Sequence, residues 1–241
     1  MCRMLLARNP TQDLINAMIS AALHDPLGAK RWGSKKEPNH PDGWGFIVIT
    51  NKNRYIEYRS PKPIWTDEPG IDLLNRYYSE STLLIHARKT SIEGTEEFTQ
   101  NIQPVGISNV VWIGYNGTID PKMLDAPDPL LRLMKKNVLA DTAAVAWAVL
   151  EAYNEKPLVT AMNIKGWLED NVPEGSGAVV FFVDAFGNAG YAWECKCDEP
   201  ELSYYKSYIY ERDSTKAVAS STVALKHGDP AWKEAPEYGV L

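Results

Sequence analysis

The sequence predicts an α+β fold in which helices pack on antiparallel sheets. Three observations carry that prediction. Strand-like apolar runs come first, helical stripes occupy the middle, and strand-like runs return at the end. Turn signals at Asn51-Lys52 and Phe186-Gly187-Asn188 each sit between two such runs, as in hairpins. The 241 residues are 44% hydrophobic and 23% charged, which gives an ample core to a soluble globular chain. One domain spanning residues 1–241 is expected.

Taken in order, residues 2–7 read as a short buried strand. Thr11 caps a helix running to about Leu23, because Ile15, Met18, Ile19 and Ala22 follow the i, i+3, i+4, i+7 stripe. Asp25-Pro26-Leu27-Gly28 ends it, and a polar loop leads to Asp42. Residues 44–50 and 53–60 read as a hairpin, residues 67–78 as a helix, and residues 82–88 and 110–115 as buried strands. Asp141 opens a helix to about Tyr153 with Ala146, Val149 and Leu150 on one stripe. Thr160 caps another, with Ala161, Ile164 and Leu168 facing inward. Gly175-Ser176-Gly177 then breaks the chain before strands over 178–183, 189–195, 204–210 and 216–220.

Bulk properties exclude several classes. A net charge of -6 argues against non-specific nucleic-acid binding. The knot Lys30-Arg31-Trp32-Gly33-Ser34-Lys35-Lys36 reads as a solvated loop, and residues 28–41 as a candidate lid. No apolar stretch reaches the ~20 residues of a membrane helix, and no secretory signal pattern opens the chain. Three cysteines do not make a disulfide scaffold, so a reducing compartment, the cytoplasm, is expected. His24, His40, His86 and His227 lack ligand spacing, and Cys195-Lys196-Cys197 has too few neighbours for zinc. Neither a phosphate-binding glycine loop nor a Gly-x-Ser-x-Gly elbow is present. No metal and no cofactor are expected.

Chemistry centres on Cys2. Removal of Met1 would give one residue both a thiol, titrating near ~8.5, and an α-amine, titrating near ~8. One then serves as base for the other. Position alone equally describes a buried cysteine in a first strand. In Leu84-Ile85-His86-Ala87-Arg88, strand alternation puts His86 and Arg88 on one face and Ile85 and Ala87 on the other. Arg88 at the strand end can grip a carboxylate with two hydrogen bonds, and Ser91 adds a hydroxyl. An ordinary surface arginine fits the same residues. Asn116-Gly117 after an apolar strand is a turn, or an oxyanion hole made by a side-chain N–H and a backbone N–H. Asn101-Ile102-Gln103-Pro104 lines a pocket or forms an irregular loop. Asp141-Thr142 is a helix N-cap, or a carboxylate facing a substrate ammonium. In His40-Pro41-Asp42-Gly43-Trp44-Gly45, the glycines suggest close backbone packing beside a bulky ring.

Together, Cys2, Asp42-Gly43-Trp44-Gly45, His86-Ala87-Arg88 with Ser91, Asn101-Ile102-Gln103-Pro104, Tyr115-Asn116-Gly117 and Asp141-Thr142 resemble the class II glutamine amidotransferases of the N-terminal nucleophile (Ntn) hydrolase superfamily. The resemblance covers most of the first 155 residues and is strongest to a compact, stand-alone branch beginning Met-Cys-Arg, whose relatives remove γ-glutamyl groups. It implies a four-layer αββα sandwich. It further implies Cys2 as nucleophile, Asn116 and Gly117 as oxyanion hole, Arg88 on the substrate α-carboxylate and Asp141 on its α-ammonium. Ser91 falls where the family usually has threonine, Gln103 where many members have histidine, and Lys89 where some have tryptophan.

The implied reaction is hydrolysis of the γ-carboxamide of glutamine, or of a γ-glutamyl compound, through a γ-glutamyl thioester on Cys2. Two alternatives stay open: a subunit supplying ammonia to a synthetase partner, and a non-catalytic binding protein on the same fold.

Overall fold

The computed structural model describes residues 2–33, 38–52, 54–91, 94–96, 98–117, 119 and 126–241. Its strands are β1 (Arg3–Arg8), β2 (Trp44–Thr50), β3 (Tyr55–Ser60), β4 (Ser81–Ala87), β5 (Val105–Ile107), β6 (Val111–Gly117), β7 (Gly177–Asp184), β8 (Ala189–Cys195), β9 (Ser207–Arg212), β10 (Thr215–Ser220), β11 (Lys233–Glu234) and β12 (Tyr238–Val240). The helices are α1 (Gln12–Leu23), α2 (Pro26–Arg31), α3 (Glu68–Tyr77), α4 (Asp128–Lys135), α5 (Thr142–Ala152), α6 (Pro157–Asn171), α7 (Glu201–Tyr205) and α8 (Ser221–His227).

Two antiparallel sheets form. One is seven-stranded in the order β11-β9-β10-β1-β4-β2-β3, the other five-stranded in the order β12-β8-β7-β6-β5. Strand alternation sorts their side chains into layers. Met4 and Leu6 of β1, with Ile47, Ile49 and Leu84, meet Trp112, Val179, Phe181, Val183 and Tyr191 of the second sheet in a core between the sheets. Leu5 and Ala7 point the other way, with Phe46 and Ile85, onto Leu14, Ile15 and Met18 of α1 and Val223 of α8. Ile113, Tyr115, Val180 and Phe182 pack on Val145 and Val149 of α5 and Ile164 and Leu168 of α6. The layers therefore run helix, sheet, sheet, helix, the sandwich the resemblance implies. Leu5 and Leu6 are fully buried on opposite faces of one strand, each burial worth roughly 1.5–3 kcal/mol. A one-residue slip of β1 would invert both contacts.

Several local expectations change. Asp25 does not simply end α1. It caps α2, its Oδ1 accepting the Gly28 N–H at 3.0 Å, with Pro26 in the first turn. Lys30 and Arg31 thus lie in a helix, and Arg31 reaches Glu201 and the rings of Tyr204 and Tyr205. Ser34, Lys35 and Lys36, the rest of that knot, lie outside the described residues, as does part of the candidate lid. Thr160 is not the cap of α6: the helix starts at Pro157, and Thr160 bonds back to both the N–H and the C=O of Asn154. Tyr204 and Tyr205, expected in a strand, sit in the short helix α7, and the strand begins at Ser207. Cys195 and Cys197 are disulfide-bonded, and Cys2 is the free cysteine.

Candidate active site

Cys2 stands where β1 begins, between β10 and β4 in the middle of the larger sheet. It is buried, and its backbone N–H donates to Asn116 Oδ1 at 2.9 Å. That bond joins the start of β1 to the end of β6 across the two sheets. With Oδ1 engaged, the carboxamide of Asn116 presents its NH2 end as a donor.

The next residue is fixed on the opposite face. Arg3 Nε and Nη2 donate to the Asp25 carboxylate at 2.9 and 2.8 Å. The same carboxylate accepts from His40 Nε2 at 3.0 Å and Thr222 Oγ1 at 2.6 Å, and the Arg3 guanidinium lies 3.9 Å from the Tyr204 ring centre. Burial alone would push the Asp25 carboxyl up. The Arg3 charge and the bonds from Arg3 and His40 outweigh it and hold the group well below the usual carboxylate range. This clamp ties α2, the His40 segment and α8 to the residue beside Cys2.

Arg88 follows β4. Its N–H donates to Gly43 O at 2.9 Å and its C=O accepts from Asp42 N at 3.1 Å. The glycines of the Asp42-Gly43-Trp44-Gly45 segment are required here. Gly43 has φ +100°, and a Cβ on Gly45 would stand 2.7 Å from Gln103 O. Trp44 itself packs away from the pocket, against Phe46 and Tyr58, with its ring N–H on Asp67. Arg88 is 3% exposed. Its Nη2 donates to Thr95 O and Oγ1, whereas Nη1 is buried with no hydrogen-bond partner. A desolvated guanidinium nitrogen with an open donor is a site for an anion.

Asp141 occupies the N-cap position of α5 yet makes no side-chain cap bond. Its Oδ2 instead accepts from Tyr115 Oη at 3.4 Å and Ile119 N at 3.3 Å. Burial pushes this carboxyl up to about 6, and the backbone N–H groups of Ile119 and Thr142 only partly offset it. Burial also raises the Tyr115 hydroxyl well above its ordinary range, so it stays a donor. An ammonium arriving beside Asp141 would relieve the cost of keeping the carboxylate ionised.

Gln103 is spent on architecture. Its Oε1 accepts from Tyr115 N at 2.6 Å and its Nε2 donates to Thr142 Oγ1 at 3.1 Å. Asn101 likewise bonds Thr95 O, Val138 O and Ala140 N. At Gly117 a Cβ would fall 2.7 Å from Tyr115 Oη, so the end of β6 admits no side chain.

Cys2, Arg88, Ser91, Gln103, Gly117 and Asp141 line one small cleft. Asn116 touches it through Cys2. Residues separated by more than a hundred positions are thus brought together. Lys89, Thr90, Tyr115 and Thr142 also line the cleft, and sequence reasoning gave them no role. Tyr115 carried one signal, its place directly before Asn116-Gly117. Thr95, which anchors Arg88, carried none. Burial by itself would raise the Cys2 thiol. His86 and the Lys89 backbone N–H reverse this and leave it well below its ordinary value. Among the described residues no cluster of His, Cys, Asp and Glu has the makings of a metal site, and no helix is long and apolar enough to cross a membrane.

No family model matches the chain, and no curated protein matches it by sequence. Solved structures do. The allosteric regulatory enzyme of purine biosynthesis aligns over 98% of this chain with a TM-score of 0.58 at 13% identity. The chain spans only 45% of that longer protein. A glutamine aminotransferase class-II domain protein from Silicibacter pomeroyi aligns over 98% of this chain and 91% of its own, with a TM-score of 0.54 at 16% identity. At such identities the likeness is one of fold: two antiparallel sheets flanked by helices, the architecture shared with both structures.

Proposed function

We propose that the protein hydrolyses the γ-carboxamide of glutamine or of a γ-glutamyl compound, with Cys2 as nucleophile. One observation carries the reading. The cleft that holds a low-titrating thiol also holds an unpartnered guanidinium nitrogen of Arg88 and a carboxylate, Asp141, that is not used as a cap. An L-α-amino acid supplies the carboxylate and the ammonium that these two groups lack, and its side-chain carbonyl is then presented to Cys2. Ser91 adds a hydroxyl at the rim, and Gln103 holds the wall.

In this reading Met1, which lies outside the described residues, is removed, and the freed amine takes the thiol proton through a water. The thiolate attacks the γ-carbonyl. The Asn116 NH2 and the Gly117 N–H meet the developing oxyanion. Ammonia or an amine leaves, and water cleaves the thioester. The fold of the neighbours supports this chemistry in kind. No metal or cofactor enters the scheme, and we place the protein in the cytoplasm, where a thiol nucleophile persists. The released ammonia either goes to solvent or passes to a separate synthetase partner, and co-purification from native extract separates the two.

The test is turnover of glutamine and a panel of γ-glutamyl compounds by the processed protein. Cys2→Ala should lose activity by about 10⁴-fold or more while keeping its melting temperature. Full activity in that variant, or retention of Met1 in the mass of native protein, would count for a binding protein on this fold instead.

A further inference from the structure

His86 is buried in the middle of the sandwich with no solvent exposure. β1 and β4 are antiparallel with Met4 opposite His86 and Arg3 opposite Ala87. That register sets Cys2 and His86 as diagonal neighbours on one sheet face, a separation that long side chains and rings span. His86 Nε2 lies 3.2 Å from Tyr115 O. A carbonyl only accepts, so Nε2 carries the hydrogen and the ring is oriented. Nδ1 is left buried with no hydrogen-bond partner. The surroundings do not call for a polar ring: Met4 and Leu84 lie beside it, and Gly114 leaves room, since a Cβ there would come 3.7 Å from His86 Cδ2. An aliphatic side chain would pack there without orphaning a nitrogen.

We propose that His86 is a positioning residue for Cys2, its ring tethered through Nε2–H to Tyr115 O so that Nδ1 faces the thiol and holds it as a thiolate. The inference rests on the reading of Cys2 as nucleophile. The proton that leaves Sγ rests on Nδ1 in the pair and passes from there to the freed Cys2 amine when the thiolate attacks, so an S–H bond breaks and an N–H bond forms, with no other reactant. The direction of the Cys2 shift agrees, His86 being the first-named cause that opposes burial. The other charged or titratable groups around the sulfur are Arg88 and Lys89 just after β4, Tyr115 on β6, Asp141 at the start of α5, Tyr204 on α7, and Arg3 across β1. Arg88 is bonded to Thr95 and Arg3 to Asp25. Asp141 and Tyr115 oppose a thiolate. Of the two side chains with a buried, open nitrogen on the thiol's own face, Arg88 and His86, His86 is the one whose nitrogen can accept a proton.

The experiment is the pH dependence of Cys2 alkylation by iodoacetamide, followed by mass spectrometry of the Cys2 peptide. His86→Gln keeps an amide N–H for Tyr115 O but has no titrating nitrogen. The wild-type midpoint should fall below ~7.5, and that of the variant should rise to ~8.5 or above. An unchanged midpoint overturns the proposal. Should His86→Gln fail to fold, the Cys2 midpoint is read in His86→Asn instead, and an unchanged midpoint there overturns the proposal equally. Neither readout needs turnover. A shifted midpoint in a protein that hydrolyses no γ-glutamyl compound sustains the pair and removes the amidase reading. An indifferent midpoint beside turnover abolished in Cys2→Ala does the reverse.

Discussion

The two faces of β1 at its first residues differ in how their polar groups are completed. On the helix-facing side, Arg3 and Asp25 are both fully buried, and the carboxylate collects bonds from Arg3, His40, Thr222 and Gly28. On the side facing the second sheet, Arg88 keeps an open Nη1, His86 an open Nδ1, and Asp141 a carboxylate that caps nothing. Both regions bury charge. Only the first gives each charge a set of protein partners. A buried ionic group with a complete set holds structure, and one with a vacancy waits for something else to fill it.

The sharpest break of this contrast is Asp25→Ala. It leaves Arg3 buried without a counter-charge and should cost about 3–5 kcal/mol of stability by denaturant unfolding. Because the Asp25 carboxyl is held low in the fold, its contribution is present above the unfolded value and is lost as pH falls toward the folded one. The wild-type advantage should therefore shrink in acid. Turnover per folded molecule should change little.

Asn116→Ala tests the other face. It removes the acceptor of the Cys2 N–H and the proposed oxyanion donor together, and kcat should fall by about 10²–10³ with a much smaller change in melting temperature than Asp25→Ala gives.

Asp141→Asn should show the smallest effect on stability, and one of opposite sign. Its carboxyl is pushed up to about 6 in the fold from an ordinary value of 3.8. The folded state holds the proton more tightly than the unfolded chain, so the favourable contribution is complete below the unfolded value and is lost as pH rises through about 6. Ionisation at pH 7 then costs about 2–3 kcal/mol at most. The amide should raise stability at pH 7 and do little near pH 4, while KM for glutamine rises. For wild type, KM should climb as pH drops below about 6.

Much of this contrast could be read from the chain. Alternation in Leu84-Ile85-His86-Ala87-Arg88 set the facing of each residue correctly, because a strand leaves only two choices. The stripe of α1 was legible because burial on one side imposes a period, whereas α5 is buried nearly all round and Leu150, expected on its stripe, is only partly buried. Other elements were not. Tyr204 and Tyr205 carry strand propensity, yet they form a turn of helix because their rings pack on Arg3 and Arg31. The segment at Ser221 carried readable signs of a helix end, with Lys226 and His227 before a left-handed Gly228, and they went unread. That Cys2, Arg88, Ser91, Gln103, Gly117 and Asp141 share one cleft was legible through their order. Their partners were not: Thr95 lies in an irregular segment, and the Arg3–Asp25–Thr222 clamp joins distant stretches with no shared pattern.

β1 has its β10 neighbour at the far end of the chain: Met4 N–H donates to Ser220 Oγ across 216 positions. During synthesis β1 therefore keeps one bare edge until β10 has emerged to pair with it. A chain stopped before Thr215 lacks that neighbouring strand, the Ser220 hydroxyl and the Thr222 bond to Asp25. The strand that carries the cleft's thiol is thus closed on both sides only by a contact made across more than two hundred positions.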